Sequence, residues 1–279
     1  MTSVTWQLIA GMHEKYQYAM SARDPRIAGW GLSADLSFVL PVSLGYLYVV
    51  KVAGPRWMRN RPPYDLKTVI TLYNLCQVIA NVFFCVQFFR HSYLGGGFSV
   101  LCQGMSYSRD QNSMTLLRLC WWYFFVRIAD FMDTVFSVAT KRFSQVTLLH
   151  VSHHFLVVLN GWVWFNFACG GQAMMALCAN GIIHIIMYTY YFLCSFGPGV
   201  RPYLWWKKYL TGLQIFHIAF VGVHMTIPLF YDCGFPTGAI LFSTPQWILA
   251  LGMFTKFYVQ AYTLKRRPEP RGSVARKGD

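Results

Sequence analysis

The sequence predicts an all-α integral membrane protein, a bundle or barrel of about seven transmembrane helices. Of its 279 residues, 55% are hydrophobic and only 12% are charged, whereas soluble globular domains carry about 25% charged residues. Apolar runs of about 20 residues, long enough to cross the hydrocarbon core of a bilayer as a helix, recur along the chain. The run from Thr68 to Phe89 contains no charge at all. These observations exclude an ordinary soluble domain.

Seven apolar segments, separated by turn-prone sequences rich in Gly and Pro, define the predicted spans. In chain order they are Ala34–Val50, Thr68–Phe89, Leu116–Thr140, Thr147–Phe165, Gln172–Phe196, Tyr209–Tyr231 and Gly238–Thr263. We therefore expect an N-terminal segment at residues 1–33, one seven-helix domain at 34–264, and a basic tail at 265–279. The Pro, Gly and Arg content of the tail is typical of disordered segments.

The placement of basic residues predicts the orientation of these spans. The net charge is +14, and nearly all of it falls in alternate loops and in the tail. Because cytoplasmic loops are enriched in Lys and Arg, these loops are predicted to face the cytosol and the N-terminus to face the opposite, lumenal side. The same placement argues against a nucleic-acid partner, which would need a basic face on a folded domain.

Polar stripes inside four of the spans predict a functional site. Charged side chains in a bilayer are costly, so they usually face the protein interior and mark function. The stripes, one per span, are Arg127, Asp130, Asp133 and Thr134; His150, His153 and His154; Asn180, His184, Tyr188 and Tyr191; and Thr211, Gln214 and His217. With the predicted orientation, all four converge between the bilayer middle and the cytosol. A lone histidine such as His224 is more simply explained by packing between helices.

Clustered histidines suit two chemistries. Neutral imidazoles can ligate iron or zinc, or they can act as acid, base or nucleophile with neighbouring carboxylates fixing their tautomer. A di-iron desaturase or hydroxylase needs several histidine boxes, but this chain has eight histidines and one H-x-x-H-H box, and His13 and His91 lie outside the predicted layer. A receptor or transporter is the non-enzymatic alternative. It explains the span count but not three imidazoles beside two acids.

The order and spacing of these residues resemble the motifs of the ELO family of very-long-chain fatty acid elongases. That family shows K-x-x-E-x-x-D-T, H-x-x-H-H, N-x-x-x-H-x-x-M-Y-x-Y-Y and T-x-x-Q-x-x-Q. The matching residues are Arg127, Asp130, Asp133 and Thr134; His150, His153 and His154; Asn180, His184, Met187, Tyr188, Tyr190 and Tyr191; and Thr211 and Gln214. Three positions depart from the pattern: Arg127 replaces lysine, Asp130 replaces glutamate, and His217 replaces the last glutamine.

The resemblance implies a condensing enzyme of the endoplasmic reticulum membrane that joins acyl-CoA to malonyl-CoA, with no metal and no cofactor beyond these substrates. The expected product is a 3-oxoacyl-CoA two carbons longer, with release of carbon dioxide and CoA. The resemblance also implies three kinds of partner. These are the surrounding membrane lipid, a second copy of the chain in a homodimer, and the ketoacyl reductase, dehydratase and enoyl reductase of the cycle. The acyl chain would occupy a tunnel enclosed by the helices.

Specific roles follow for the polar residues. The expected catalytic residues are His150, His153, His154, His184, Asp130 and Asp133, with His153 or His184 forming an acyl-histidine intermediate. The expected substrate-binding residues are Arg127, Thr134, Asn180, Tyr188, Tyr191, Gln214 and His217, with Lys141, Arg142, Arg201, Lys207 and Lys208 for the phosphates of CoA. A Cys178 nucleophile is the rival interpretation.

The eight cysteines contain no C-x-x-C pair and follow no metal-ligand spacing. Two of them, Cys102 and Cys233, fall in loops on the predicted lumenal side. Because disulfides persist in the oxidising lumen, these two are the best candidates for a pair.

Overall fold

The architecture is built from helices throughout the part of the chain that the computed structural model describes, residues 3–31 and 35–264. In chain order the helices are α1 (Ser3–Ser21), α2 (Leu36–Met58), α3 (Lys67–Leu94), α4 (Gln111–Ala129), α5 (Phe131–Ala139), α6 (Leu148–Phe167), α7 (Ala173–Cys194), α8 (Lys207–Leu229) and α9 (Thr237–Thr263). No strand occurs among these residues. The all-α prediction is confirmed, whereas the predicted tail at 265–279 lies outside the described residues.

Five of the described helices, α2, α3, α7, α8 and α9, are long and apolar enough to cross a membrane. They support the prediction of a multi-pass membrane protein. The third and fourth predicted spans are also helical, as α4 with α5 and as α6. Both carry polar side chains, among them Arg118, Arg127 and the three clustered histidines. The count of seven spans and the orientation of the termini therefore stay predictions.

The N-terminal segment predicted at residues 1–33 contains the 19-residue helix α1. One predicted span differs from the structure. The third predicted span is divided at Asp130, where α4 ends and α5 begins. The backbone of Asp130 stays helical (φ −61°, ψ −16°), and its N–H bonds to the carbonyl of Val126 at 3.3 Å. The regular helix is therefore interrupted at a single residue, and the backbone there remains close to helical.

Helix α4 begins where a loop carboxylate caps it. Asp110 accepts hydrogen bonds at 2.9 Å from the backbone N–H groups of Asn112 and Ser113, which satisfies donors that have no partner inside the helix. Hydrogen bonds hold the pKa of this carboxyl well below its usual value, and the one from the backbone N–H of Ser113 has the largest effect. The cap fixes the register of α4, and with it the direction in which Arg127 points.

The connections at the end of the bundle near Asp110 are tied together by covalent and polar bonds. Cys102 and Cys233 form a disulfide that closes a separation of 131 residues. Gln172 is fully buried and donates at 2.8 Å to the carbonyl of His224. The Nε2 atom of His224 lies 2.8 Å from the carbonyl oxygen of Val100. His224 thus has the packing role that the sequence suggested.

The disulfide predicts a loss of stability on reduction. We expect Cys102→Ser with Cys233→Ser to lower the free energy of unfolding by about 2–4 kcal/mol, because closing a long loop restricts the unfolded chain. Thermal unfolding of the detergent-purified protein, monitored by size-exclusion chromatography of heated samples, measures the loss of stability. Cys76→Ser, at an exposed free thiol, is the matched control. Equal melting temperatures for the double variant and this control would contradict the prediction.

Candidate active site

An ion pair buried between helices forms the centre of the site. Arg127 of α4 lies 3.0 Å from the carboxylate of Asp130, and the two residues are 5% and 3% exposed. The same guanidinium donates to Asn81 at 2.9 Å and contacts the ring of His184. Because a guanidinium only donates hydrogen bonds, the His184 nitrogen that it meets must be unprotonated. His184 is therefore held as a neutral imidazole by Arg127.

The other side of Asp130 is bonded to α3 and α7. Gln77 donates to its Oδ1 atom at 3.0 Å, and the hydroxyl of Tyr188 lies 2.9 Å from the same oxygen. That hydroxyl also lies 2.7 Å from Asp133 Oδ2. Since one hydroxyl has a single proton to donate, the second short contact requires a proton on a carboxyl group. Asp130, Asp133 and Tyr188 therefore form one proton-sharing unit.

A second set of polar groups lies one helical turn before Arg127 in α4. The hydroxyl of Tyr123 donates to Asn180 Oδ1 at 2.9 Å and lies 3.3 Å from Asn81 Oδ1. With its oxygen engaged in this way, the Asn180 amide nitrogen has no hydrogen-bond partner among the described residues. Asn180 lines a cavity, so this nitrogen can donate to a ligand that enters it.

The cavity has a volume of ≈ 280 Å³ and is lined by residues of α4, α6, α7, α8 and α9. Its polar end, which we call the histidine end, contains His153, His217, Arg127 and Asn180. The residues lining the remainder are mostly apolar. Along α6 the lining extends from Leu149 to Ala168, a distance of about 28 Å at the rise of an α-helix. The cavity is thus long, narrow and polar at one end.

The three clustered histidines occupy the first turns of α6. Thr147 caps this helix by accepting from the N–H of His150 at 3.2 Å. The rings of His150 and His154 are 4.3 Å apart between centroids, and those of His153 and His154 are 5.9 Å apart. Of the three, only His153 lines the cavity. Within the described residues its ring nitrogens have no hydrogen-bond partner, and its ring meets Phe254 edge-on at 5.4 Å.

Other predicted site residues lie outside the cavity wall. Thr134 is fully buried and bonds to the hydroxyl of Tyr46 at 2.9 Å, which joins α5 to α2. Gln214 donates to the sulfur of Met187 at 3.4 Å. Tyr191 is 39% exposed. Thr211 donates to the carbonyl of Lys207 at 3.2 Å, inside its own helix.

The five cations predicted to bind phosphate lie in loops and at a helix start. Arg142, Arg201, Lys207 and Lys208 are exposed, and Lys141 is partly buried with a positive φ of 56°. In the described part of the chain none of them forms an ion pair with a carboxylate. They are available to an anionic ligand. Cys178, the rival nucleophile, is fully buried and does not line the cavity.

Sequence reasoning missed four residues of the polar network. These are Tyr73, Gln77, Asn81 and Tyr123, of which the last three are almost fully buried. The first three follow each other at intervals of four along α3, so they form a helical stripe like those found in the other spans. The signal was present, but these side chains carry no charge. Among the described residues, no group of three or more His, Cys, Asp or Glu is arranged to hold a metal ion.

Comparison with known proteins matches this chain to one family along most of its length. The model of the ELO (GNS1/SUR4) family matches residues 32–270. A very long chain fatty acid elongase of Aedes aegypti is 35% identical over 262 residues, covering 94% of this chain and 73% of that protein. Very long chain fatty acid elongase 4 of Macaca mulatta is 36% identical over 267 residues, covering 95% and 83%. Very long chain fatty acid elongase 7 of Drosophila melanogaster is 37% identical over 260 residues, covering 91% and 77%.

Proposed function

Because the chain belongs to the ELO (GNS1/SUR4) family, we propose that it catalyses the condensation step of fatty acid elongation. In this step acyl-CoA and malonyl-CoA give 3-oxoacyl-CoA, carbon dioxide and CoA. One observation carries the proposal: His153, whose ring nitrogens have no hydrogen-bond partner among the described residues, stands at the polar end of a long apolar cavity. An acyl thioester needs this combination, since its reactive carbonyl and its hydrocarbon chain require opposite surroundings.

The length of the cavity supports a long acyl substrate. From His153 to Ala168 the lined part of α6 measures about 22 Å. Half of a bilayer's hydrocarbon core, the depth that the acyl chains of one leaflet fill, is about 15 Å. A chain bound with its carbonyl at His153 therefore finds mostly apolar walls to a greater depth than one leaflet. A long acyl-CoA substrate fits this depth.

His153 is the better of the two candidate nucleophiles. The His184 ring is occupied by Arg127 and does not line the cavity, whereas His153 does. A His153 nitrogen attacks the thioester carbonyl, the carbon–sulfur bond breaks, and CoA leaves as the thiolate. The product is an acyl-imidazolium, because the ring keeps its own N–H proton, and neutral imidazole is released again when the acyl group moves on. Covalent catalysis of this kind divides one difficult transfer into two easier steps.

The second half of the reaction uses the same end of the cavity. Malonyl-CoA loses carbon dioxide, and the electron pair of the broken carbon–carbon bond becomes an enolate. The enolate carbon attacks the acyl group, the carbon–nitrogen bond to His153 breaks, and 3-oxoacyl-CoA forms. Asn180 Nδ2 and the Arg127 guanidinium lie at this end and stabilise the negative charge that develops on oxygen.

The remaining predicted residues take supporting roles in this proposal. Asp130, Asp133 and Tyr188 hold Arg127 in place through the proton-sharing unit. His150 and His154 pack behind His153, and the loop cations Lys141, Arg142, Arg201, Lys207 and Lys208 bind the phosphates of CoA. The site uses acyl-CoA and malonyl-CoA without a metal or redox cofactor. We place the protein in the endoplasmic reticulum membrane as a homodimer, beside the reductases and the dehydratase of the cycle.

The proposal is tested with chelator-treated protein purified in detergent. We expect radiolabelled malonyl-CoA and a long acyl-CoA to give labelled 3-oxoacyl product two carbons longer, without NADPH. Activity that appears only after iron and a reductant are added would instead favour the histidine-box oxidase. Ligand-dependent signalling or flux without acyl turnover would favour a receptor or transporter.

A further inference from the structure

A tryptophan and a glycine of neighbouring helices meet in the wall of the cavity. Trp247 of α9 and Gly222 of α8 both line it. The indole N–H donates to the carbonyl of Ile218, which ties the ring to α8. A Cβ atom added at Gly222 would lie within 1.6, 1.9 and 2.0 Å of three indole atoms. Only glycine at position 222 therefore leaves room for the ring in this position.

The depth of this contact places it on the path of the acyl chain. Gly222 follows His217, a residue of the histidine end, by five positions, which is about 8 Å along α8. On α6 the lining residues Leu156 and Val157 follow His153 by only three and four positions, so they lie slightly nearer to the histidine end. An acyl chain whose carbonyl is held at His153 must pass the indole after its first few carbons. The contact is therefore much nearer to the reactive carbon than to the far end of the cavity.

We propose that the Gly222–Trp247 pair sets the width of the acyl tunnel at this depth, so that straight, unbranched acyl segments pass and branched segments are excluded. The inference rests on the proposed function. The indole is rigid, and its hydrogen bond to Ile218 opposes rotation away from α8. Protein interiors are close-packed and absorb an added methyl group poorly. The pair thus discriminates by shape and not by charge.

A purely structural role for Trp247 makes a different prediction. If the indole only joined α9 to α8, disturbing it would lower activity towards every acyl-CoA by the same factor. A width-setting role lowers activity only for chains that reach the indole. The dependence of kcat/KM on chain length and chain shape therefore separates the two roles.

The first test compares two glycine substitutions in the same helix. Gly222→Ala pushes the indole towards the cavity, whereas Gly212→Ala adds a methyl group in open space. For Gly222→Ala we expect kcat/KM for stearoyl-CoA to fall by about 10-fold or more. We expect hexanoyl-CoA, whose chain ends near the indole, to be affected by less than about 2-fold, and Gly212→Ala to leave both values unchanged. Equal losses for both substrates in Gly222→Ala would overturn the proposal.

The second test removes the ring, and it stands even if Gly222→Ala fails to fold. With Trp247→Leu we expect the preference for stearoyl-CoA over an isomer whose methyl branch lies at the depth of the indole to narrow by about 10-fold. Combining Gly222→Ala with Trp247→Leu should restore activity on stearoyl-CoA. An unchanged straight-to-branched ratio in Trp247→Leu would refute the role of the indole. If the wild-type protein elongates stearoyl-CoA in the same assay, an unchanged ratio contradicts the role of the indole but not the proposed function.

Discussion

Replacing His153 with alanine is expected to abolish condensation, with kcat falling by about 10³-fold or more. The substitution removes the one imidazole of the histidine cluster that lines the cavity, and with it the nucleophile of the proposed acyl transfer. The measurement is formation of labelled 3-oxoacyl-CoA by purified protein. Size-exclusion chromatography of the variant confirms that it is folded, since the ring makes no hydrogen bond within the described residues.

The intermediate itself can be observed. Wild-type protein incubated with acyl-CoA alone should carry an acyl group on the peptide that contains His153, detected by mass spectrometry after rapid acid quenching. His184→Ala is the comparison variant, because it removes the other candidate nucleophile and leaves His153 in place. We expect this variant to acylate more slowly but at the same peptide. An adduct that persists in His153→Ala, or that maps to His184, would contradict the assignment.

Replacing Arg127 with methionine is expected to cost both stability and activity. Without the guanidinium, the buried carboxylate of Asp130 loses the positive charge that pairs with it. Asn81 and His184 each lose a hydrogen-bond donor. Breaking a buried ion pair from one side costs about 3–5 kcal/mol. We expect the melting temperature to fall accordingly, and kcat to fall by about 10²-fold from the lost oxyanion contact. Thermal unfolding and the condensation assay measure the two effects separately.

A double variant distinguishes stability from chemistry at this position. Asp130→Asn keeps a side chain that can hydrogen-bond to Gln77 and Tyr188 but carries no charge. Combined with Arg127→Met, it should recover most of the lost stability while activity stays low, because the charge is balanced but the cation is still missing. Full recovery of activity in the double variant would show that Arg127 acts only through the stability of the fold.

The polar side chains of the candidate site could be predicted to lie close together, because a bilayer makes polar residues conspicuous. Arg127, Asp130, His153 and His184 stand out in apolar surroundings, and their helical spacing placed them on stripes. The helix break at Asp130 could not be predicted, because the residues on both sides favour a continuous helix. Gln77 and Asn81 were missed for a related reason: neutral amides occur in spans as packing groups as well as in active sites.

The sequence by itself determined that the protein is helical, that it belongs in a membrane, and that four of its predicted spans carry polar stripes. These properties follow from composition and periodicity, which each segment carries alone. Only the tertiary structure decided which members of a stripe face the cavity. His150, His153 and His154 share one face of α6, but of these three only His153 lines the cavity. The Gly222–Trp247 contact could likewise not be predicted from the sequence. Periodicity gives the direction of a side chain around its helix but not the neighbour that it contacts there.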